Sequence, residues 1–217
     1  LGNGSYDVWI TPTVAGPYFI SLALEGQEVA ESPYSVVVTP GDAYGPASSA
    51  YGGGIATAVA TLENIVYVQA RDRWGNNLWG SGFNVTAELY IGDSVAAANQ
   101  GRNGTEPAAS NETSSNTWSS HSGEDGEKPS ATFFGNGSGI ALVTYVPREA
   151  GTSFLYVHVN DLQVAGSPFE VNVSAGPARG ANATASGSAL ALATAGKNSS
   201  FIIQARDGRA NPAAEES

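Results

Sequence analysis

The chain repeats itself at a fixed offset of about 135 residues, so one local structure must suit both copies. Self-similarity at a single register is typical of tandem-repeat proteins. The recurring segments are Ala15-Gly16 with Ala150-Gly151, Ser32-Pro33-Tyr34 with Ser167-Pro168-Phe169, and Gln69-Ala70-Arg71-Asp72 with Gln204-Ala205-Arg206-Asp207. The offset predicts the C-terminal part of one repeat at 1–40, a complete repeat at 43–175, and the N-terminal part of a following repeat at 177–217.

Short apolar runs separated by turn residues predict that each unit is all-β. Apolar residues make up 41% of the chain, and Val, Ile, Tyr and Phe lie in short runs between Gly, Pro, Ser and Asn. Ala141, Val143 and Tyr145 occupy alternate positions, which predicts a strand with one buried face. Similar alternation elsewhere gives about seven strands per unit, which predicts tandem immunoglobulin-like β-sandwiches.

The charge and the missing cysteines exclude several functional classes. The chain has 20 acidic and 9 basic residues, and a net charge of −11 disfavours binding to nucleic acid or to anionic lipid. It contains no run of eighteen apolar residues, so no membrane insertion is predicted in this segment. The absence of cysteine excludes disulfides, thiol catalysis and thiolate metal sites. We expect no metal and no cofactor.

Four motifs carry a family resemblance. They are Gly-x-Tyr-x-Val-x-Ile-x-Pro at Gly4–Pro12, Ala15-Gly16-Pro17-Tyr18, Ser32–Val38, and Ala70-Arg71-Asp72 followed by Gly75-Asn76. In this set and order, the chain resembles the filamin-type immunoglobulin-like repeat over nearly all residues outside 91–138. The resemblance implies a rod or adhesive module. It also implies that protein partners add a strand to the sheet edge at strand C, which here contains Phe83, Val85, Ala87 and Leu89.

The chain departs from the family pattern in its core and in one connection. Ala141 and Ser153 stand where the family prefers aromatic residues. A long insertion at about 91–137 replaces a short loop between the third and fourth strands. Its polar composition favours disorder in the middle. We expect Phe133 or Phe134 to cover the outward apolar residues of the next strand, and the alternative is a solvated spacer.

Asparagine sequons are the second functional signal. Eight sites fit Asn-x-Ser/Thr, which is the acceptor sequence for N-glycosylation. An excess of such sites predicts passage through the secretory pathway, although Asn, Ser and Thr also collect in turns. The eight sites are Asn3, Asn84, Asn103, Asn111, Asn136, Asn172, Asn182 and Asn198.

Aromatic residues outside the predicted core are further candidates for partner contact. Phe154, Tyr156 and His158 alternate with core residues of one strand and are predicted to line an outer face. Trp74 and Trp79 lie in the loop before strand C. Exposed aromatic residues are favoured at interfaces. The alternative for the tryptophans is packing against the adjoining unit.

No catalytic constellation is found, so an enzyme is not predicted. His121 falls in the insertion and His158 on an outer face, and neither accompanies a nucleophile motif or paired carboxylates. Asp72 and Asp207 are predicted to be turn residues that accept backbone hydrogen bonds.

The sequence favours an extracellular adhesion or cell-surface structural rod, like the filamin-repeat gamete adhesion proteins of plants and algae. Its partners would be other proteins or neighbouring copies of the rod. The alternative is a cytoplasmic, cytoskeletal scaffold in the manner of the actin-crosslinking filamins. Short linkers that contain Pro, at 39–42 and 174–177, predict limited bending between units.

Overall fold

The computed structural model describes residues 4–91, the backbone of residues 130–133, and residues 137–213. Fifteen strands lie in these ranges. In chain order they are β1 Gly16–Ile20, β2 Ala23–Leu24, β3 Gln27–Glu28, β4 Tyr34–Val38, β5 Ser49–Tyr51, β6 Thr57–Val59, β7 Asn64–Gln69, β8 Val85–Ile91, β9 Ser130–Phe133, β10 Ile140–Tyr145, β11 Gly151–Val159, β12 Leu162–Gln163, β13 Phe169–Ser174, β14 Thr184–Ser186 and β15 Ile202–Gln204. Single 3-10 turns occur at Gly45–Ala47, Gly53–Ile55, Gly180–Asn182 and Ser188–Leu190.

Strands β5 to β13 form an immunoglobulin-like sandwich, as the sequence predicts. One sheet has the order β5-β7-β10-β9, with antiparallel neighbours. In the other sheet, β11 pairs with β8 along one side, and with β13 and the short β12 along the other. Strand β13 continues this sheet by pairing in parallel with β6. The architecture is therefore all-β, with β8 and β6 at the two margins of the second sheet.

Alternate side chains of the facing strands fill the core, and the predicted alternation is confirmed. Val66 and Val68 of β7 and Val143 of β10 have no exposed surface, and Leu155 and Val157 of β11 are equally buried. Burying each such side chain stabilises the fold by about 1.5–3 kcal/mol. Tyr145 reaches across the core and donates its hydroxyl to the carbonyl oxygen of Gly54, and burial raises the pKa of Tyr145 to about 12.

The two flanking segments carry the same local pairing as the sandwich. Strands β1 and β4 pair antiparallel, with Tyr18 opposite Val36, and β14 and β15 form a second pair. The serine of the repeated Ser-Pro motif has the same role twice, because Ser32 Oγ accepts from Leu22 N–H and Ser167 Oγ from Val157 N–H, each at 3.0 Å. Both Ser-Pro peptide bonds are cis. Apolar side chains at alternate positions of these flanking segments are at least half exposed, and they are Tyr6, Val8, Ile10, Phe201 and Ile203.

Part of the predicted insertion belongs to the sandwich. Residues 130–133 lie inside the range 91–137 but form β9, with Phe133 opposite Ala141 of β10. The expected covering role of Phe133 or Phe134 lies outside what is described, because it concerns the side chain of Phe133 and residues 134–136.

Two fully buried serines differ in their hydrogen bonding. Ser153 faces the core from β11, and its Oγ has no hydrogen-bond partner among the described residues. Ser48 donates its hydroxyl to the carbonyl oxygen of Tyr44 at 2.9 Å and accepts from the N–H of Arg71 at 3.0 Å. Since an unpaired buried hydroxyl costs about 1–3 kcal/mol, Ser153 weakens the core and Ser48 stabilises it.

We therefore expect Ser153→Ala to raise the free energy of unfolding by about 1 kcal/mol, because the desolvated hydroxyl is removed. Ser48→Ala is the matched control and should lower it by about 1–3 kcal/mol, because the N–H of Arg71 loses its hydrogen-bond acceptor. Urea denaturation followed by tryptophan fluorescence measures both changes. A loss of stability in Ser153→Ala would contradict the assignment of an unpaired hydroxyl.

Candidate partner-binding face

Strand β8 has backbone groups that face away from its sheet. Val85 lies opposite Val159 of β11, and the N–H of Asn160 donates to the carbonyl oxygen of Asn84 at 3.0 Å. In an antiparallel pair the bonded residues alternate. The backbone groups of Thr86, Glu88 and Tyr90 therefore point to β11, and those of residues 85, 87 and 89 point the other way. In the ranges 4–91, 130–133 and 137–213, no strand pairs with that side of β8.

The side chains of this strand segment are in the core. Phe83 is 7% exposed, Val85 and Ala87 have no exposed surface, and Leu89 is half-buried and packs against the core. A partner at this edge would consequently reach the backbone of residues 85, 87 and 89, and not their side chains.

The outer face beside this edge is built around a pair of tyrosines. The rings of Tyr90 on β8 and Tyr156 on β11 meet edge to face, with centroids 5.3 Å apart. The hydroxyl of Tyr90 donates to Glu88 Oε2 at 2.8 Å. Burial, together with this hydrogen bond and the charge of Glu88, raises the pKa of Tyr90 to about 12. Tyr156 is only 6% exposed, whereas Phe154 and His158 on the same strand are half-buried.

Tyr90 and Glu88 are members of this face that the sequence analysis did not single out. They alternate with the inward residues of β8, so the same period of two could have identified them. The cross-strand contact between Tyr90 and Tyr156 requires the register of β8 with β11, which the sequence does not state.

The two tryptophans lie at different places in the loop before β8. Trp74 is 54% exposed, and its Cζ3 lies 3.4 Å from the position that a Cβ on Gly41 would take, so the ring borders the linker. The guanidinium of Arg73 lies 5.9 Å from the Trp74 ring centroid. Trp79 is 46% exposed. Trp74 therefore lies beside the linker at Gly41.

The described sequons differ in accessibility. Asn84, Asn172 and Asn198 are exposed. Asn182 is half-buried, and its Nδ2 donates to the carbonyl oxygen of Asp207 at 2.7 Å. The remaining sites, Asn3, Asn103, Asn111 and Asn136, lie outside the described residues, as does His121.

Asp72 is a turn residue, as its place in the sequence predicts. Its Oδ1 accepts from the N–H groups of Trp74 and Asn76 at 2.9 and 3.0 Å, and its Oδ2 accepts from the N–H of Gly41 and from Asn76 Nδ2 at 2.9 and 2.8 Å. Burial alone would raise the pKa of Asp72, but these hydrogen bonds outweigh it and hold the pKa below its ordinary value of 3.8. Asp207 has the corresponding bonds, and its pKa is lowered for the same reasons.

The described residues include no group of three or more His, Cys, Asp or Glu that could hold a metal ion. In the same ranges, no helix has the length and the apolar character that crossing a bilayer requires.

Comparison with known proteins supports the immunoglobulin-like fold described above. The family model of the filamin/ABP280 repeat matches residues 44–170, which is more than half of the chain. The Escherichia coli adhesin FdeC is similar in structure, with a TM-score of 0.56 and 20% identity over 92% of this chain and 52% of that one. The chain thus spans about half the length of the FdeC structure, and the likeness shows a shared fold.

Two other solved structures are similar at lower scores. The Lin-41 filamin domain has a TM-score of 0.37 and 18% identity over 63% of this chain and 97% of that one. Invasin, a bacterial integrin-binding protein, has a TM-score of 0.49 and 12% identity over 91% of this chain and 33% of that one.

The carboxylate of Asp72 yields a prediction about pH. We expect Asp72→Asn to lower the free energy of unfolding at pH 7 by about 1.5–3 kcal/mol, because hydrogen bonds to a charged group are lost. Since the folded-state pKa of Asp72 is depressed, its contribution is present above the ordinary value of 3.8 and is lost as the pH falls through the folded-state pKa.

The difference between wild type and Asp72→Asn should therefore shrink below pH 3.8, as measured by urea denaturation between pH 7 and pH 2.5. Glu63→Gln, which removes an exposed carboxylate, is the charge-matched control and should change little at any pH. A difference between wild type and Asp72→Asn that stays constant down to pH 2.5 would contradict the assignment.

Proposed function

Because the chain belongs to the filamin/ABP280 repeat family, we propose that it is a non-catalytic segment of a structural and adhesive rod at the cell surface. It binds protein partners, or neighbouring copies of the rod, by adding a strand along the free edge of β8. One observation carries this proposal. The backbone N–H and C=O groups of residues 85, 87 and 89 point away from β11, and no described strand pairs with them.

The chemistry of this edge suits an extended peptide. Backbone N–H and C=O groups give affinity to an added strand without regard to its sequence, and outward side chains give specificity. Thr86, Glu88 and Tyr90 are the half-buried outward residues of β8. Glu88 carries a negative charge beside the edge, and the chain as a whole is acidic. The preferred partner strand therefore carries a basic residue that lies beside Glu88.

The cell-surface location is supported by the sequons and by what the similar proteins are. Asn84 and Asn172 both alternate with buried residues and are exposed on the second sheet, so a glycan at either site would extend into solvent. FdeC, which shares this fold, is an adhesin. The alternative is an intracellular filamin-like cytoskeletal scaffold, which the absence of cysteine permits.

We expect Leu89→Pro to weaken strand addition about tenfold relative to Leu89→Ala, because only proline removes the N–H that faces the free edge. The two variants lose the same leucine side chain, so Leu89→Ala controls for its packing. Peptides selected on the wild-type chain from a random phage-displayed library provide the probe, and titration calorimetry gives their affinities.

Backbone amide shifts of the peptide complex should be largest at residues 85, 87 and 89. Equal affinity of Leu89→Pro and Leu89→Ala, or shifts centred away from β8, would contradict the proposed edge.

We also expect glycans on Asn84 and Asn172 in protein from its native source, with Asn103 and Asn111 as further sites. Asn182 should be less occupied than Asn84, because its Nδ2, the atom that would carry the glycan, donates to the carbonyl oxygen of Asp207. Intact-mass and glycopeptide analysis measures the occupancy of each site. Bare asparagines at all four expected positions would contradict the cell-surface location and favour the intracellular scaffold.

A further inference from the structure

The loop after β7 reaches back to the unit that precedes it. Asn76 Oδ1 accepts from the N–H of Ala15 at 2.9 Å, and Asn76 Nδ2 donates to the carbonyl oxygen of Thr13 at 2.9 Å. The same Nδ2 donates to Asp72 Oδ2, which also accepts from the linker residue Gly41. One carboxylate therefore holds both the linker and the asparagine that contacts the preceding unit.

The same arrangement occurs again at the next connection. Asn211 Oδ1 accepts from the N–H of Ala150 at 3.1 Å, and Asn211 Nδ2 donates to the carbonyl oxygen of Arg148 and to Asp207 Oδ2, both at 2.8 Å. Asp207 Oδ2 also accepts from the N–H of Gly176 at 2.9 Å. Donors and acceptors correspond one to one with the first connection, at the 135-residue offset of the sequence.

Asparagine is the residue that these contacts require. Each side-chain amide donates two hydrogen bonds through its Nδ2 and accepts one through its Oδ1. Both polar atoms of the amide are therefore hydrogen-bonded. Aspartate at the same position could not donate to the Thr13 or Arg148 carbonyl and would place a second charge beside Asp72 or Asp207. The pairing also fixes which end of the amide is oxygen, because the group of Ala15 or Ala150 that contacts it is an N–H donor, and the group of Thr13 or Arg148 is a carbonyl acceptor.

We propose that the Asp-x-x-x-Asn loop is a docking element that fixes each repeat to one loop of the repeat preceding it. That loop lies directly before β1 in the first copy and directly before β11 in the second. The surface it recognises consists of backbone: the N–H of the Ala in the Ala-Gly pair and the carbonyl oxygen two residues earlier. The side chains there differ, Thr13 in one copy and Arg148 in the other, while the hydrogen bonds are the same. The partner is therefore any repeat with this loop conformation.

The linker is held in place as well. A Cβ at Gly176 would lie 2.4 Å from both the Ala60 carbonyl oxygen and Thr61 Oγ1, so the linker runs against the complete repeat with no room for a side chain. The N–H of Ala60 donates to the carbonyl oxygen of Ser174 at 2.8 Å, which joins the start of the linker to the same loop. Docking and linker together give neighbouring repeats a fixed relative orientation.

Amide hydrogen exchange in the full chain, measured by NMR, tests this proposal. Ala150 lies in the complete repeat, and its N–H is bonded to the following segment. We expect Asn211→Ala to speed exchange at Ala150 about tenfold and to leave Ala15 unchanged. Asn76→Ala should do the reverse, so each connection is the internal control for the other. Asn198→Ala, an exposed asparagine of the same segment as Asn211, should change neither amide.

Two further readings separate docking from a general loss of structure. The amides of Val66 and Leu155 in the sandwich core should keep their protection in every variant, which shows that the complete repeat still folds. In the wild type, the residual dipolar couplings of residues 43–175 and 177–213 should fit one common alignment tensor. In Asn211→Ala, the two ranges should require different alignment tensors, because they move relative to each other. Unprotected Ala150 in the wild type, unchanged exchange in Asn211→Ala, or joint exposure of Ala150 and Leu155 would overturn the proposal.

Discussion

The requirement that every buried strand satisfies its backbone while presenting one apolar face determines the rest of this structure. Strand β11 meets it with neighbours on both sides, β8 and β13, and with Leu155 and Val157 in the core. Strand β8 meets it on one side only among the described residues. The side chains of Val85, Ala87 and Leu89 lie in or against the core, so these three residues offer only main-chain groups at this margin. An edge of this kind recognises the conformation of a partner first and its sequence second.

The sequence predicts the sandwich well because a period of two in apolar residues has a single physical cause, burial of one face. Val66, Val68, Val143 and Tyr145 are buried where the alternation places them. Strand β9 escaped prediction because residues 130–133 lie within the insertion of polar composition, and what makes them a strand is their backbone pairing with β10. Tyr156 was predicted on an outer face, yet it is nearly covered, because the ring of Tyr90 packs against it from the adjacent strand.

The docking asparagines illustrate a different limit of sequence reasoning. Gly75-Asn76 belongs to a motif, and Asn211 recurs at the common offset, so their importance could be noticed. Their partners could not, because each lies 61 or more residues earlier in the chain and contributes only backbone atoms, which leave no trace in side-chain identity. The neighbouring aspartates were identified correctly as turn residues for the opposite reason, since Asp72 bonds Trp74 and Asn76 within its own turn.

The free edge and the docking loops use separate parts of each repeat. The loops lie where strands end, after β7 and before β11, whereas the side of β8 that no described strand pairs with runs along the margin of a sheet. Occupying one therefore requires no change in the other. If docking fixes the orientation of successive repeats, their edges follow one another at a constant spacing and rotation. Several weak strand additions along such an array then combine, because each bound site holds the next at a high effective concentration.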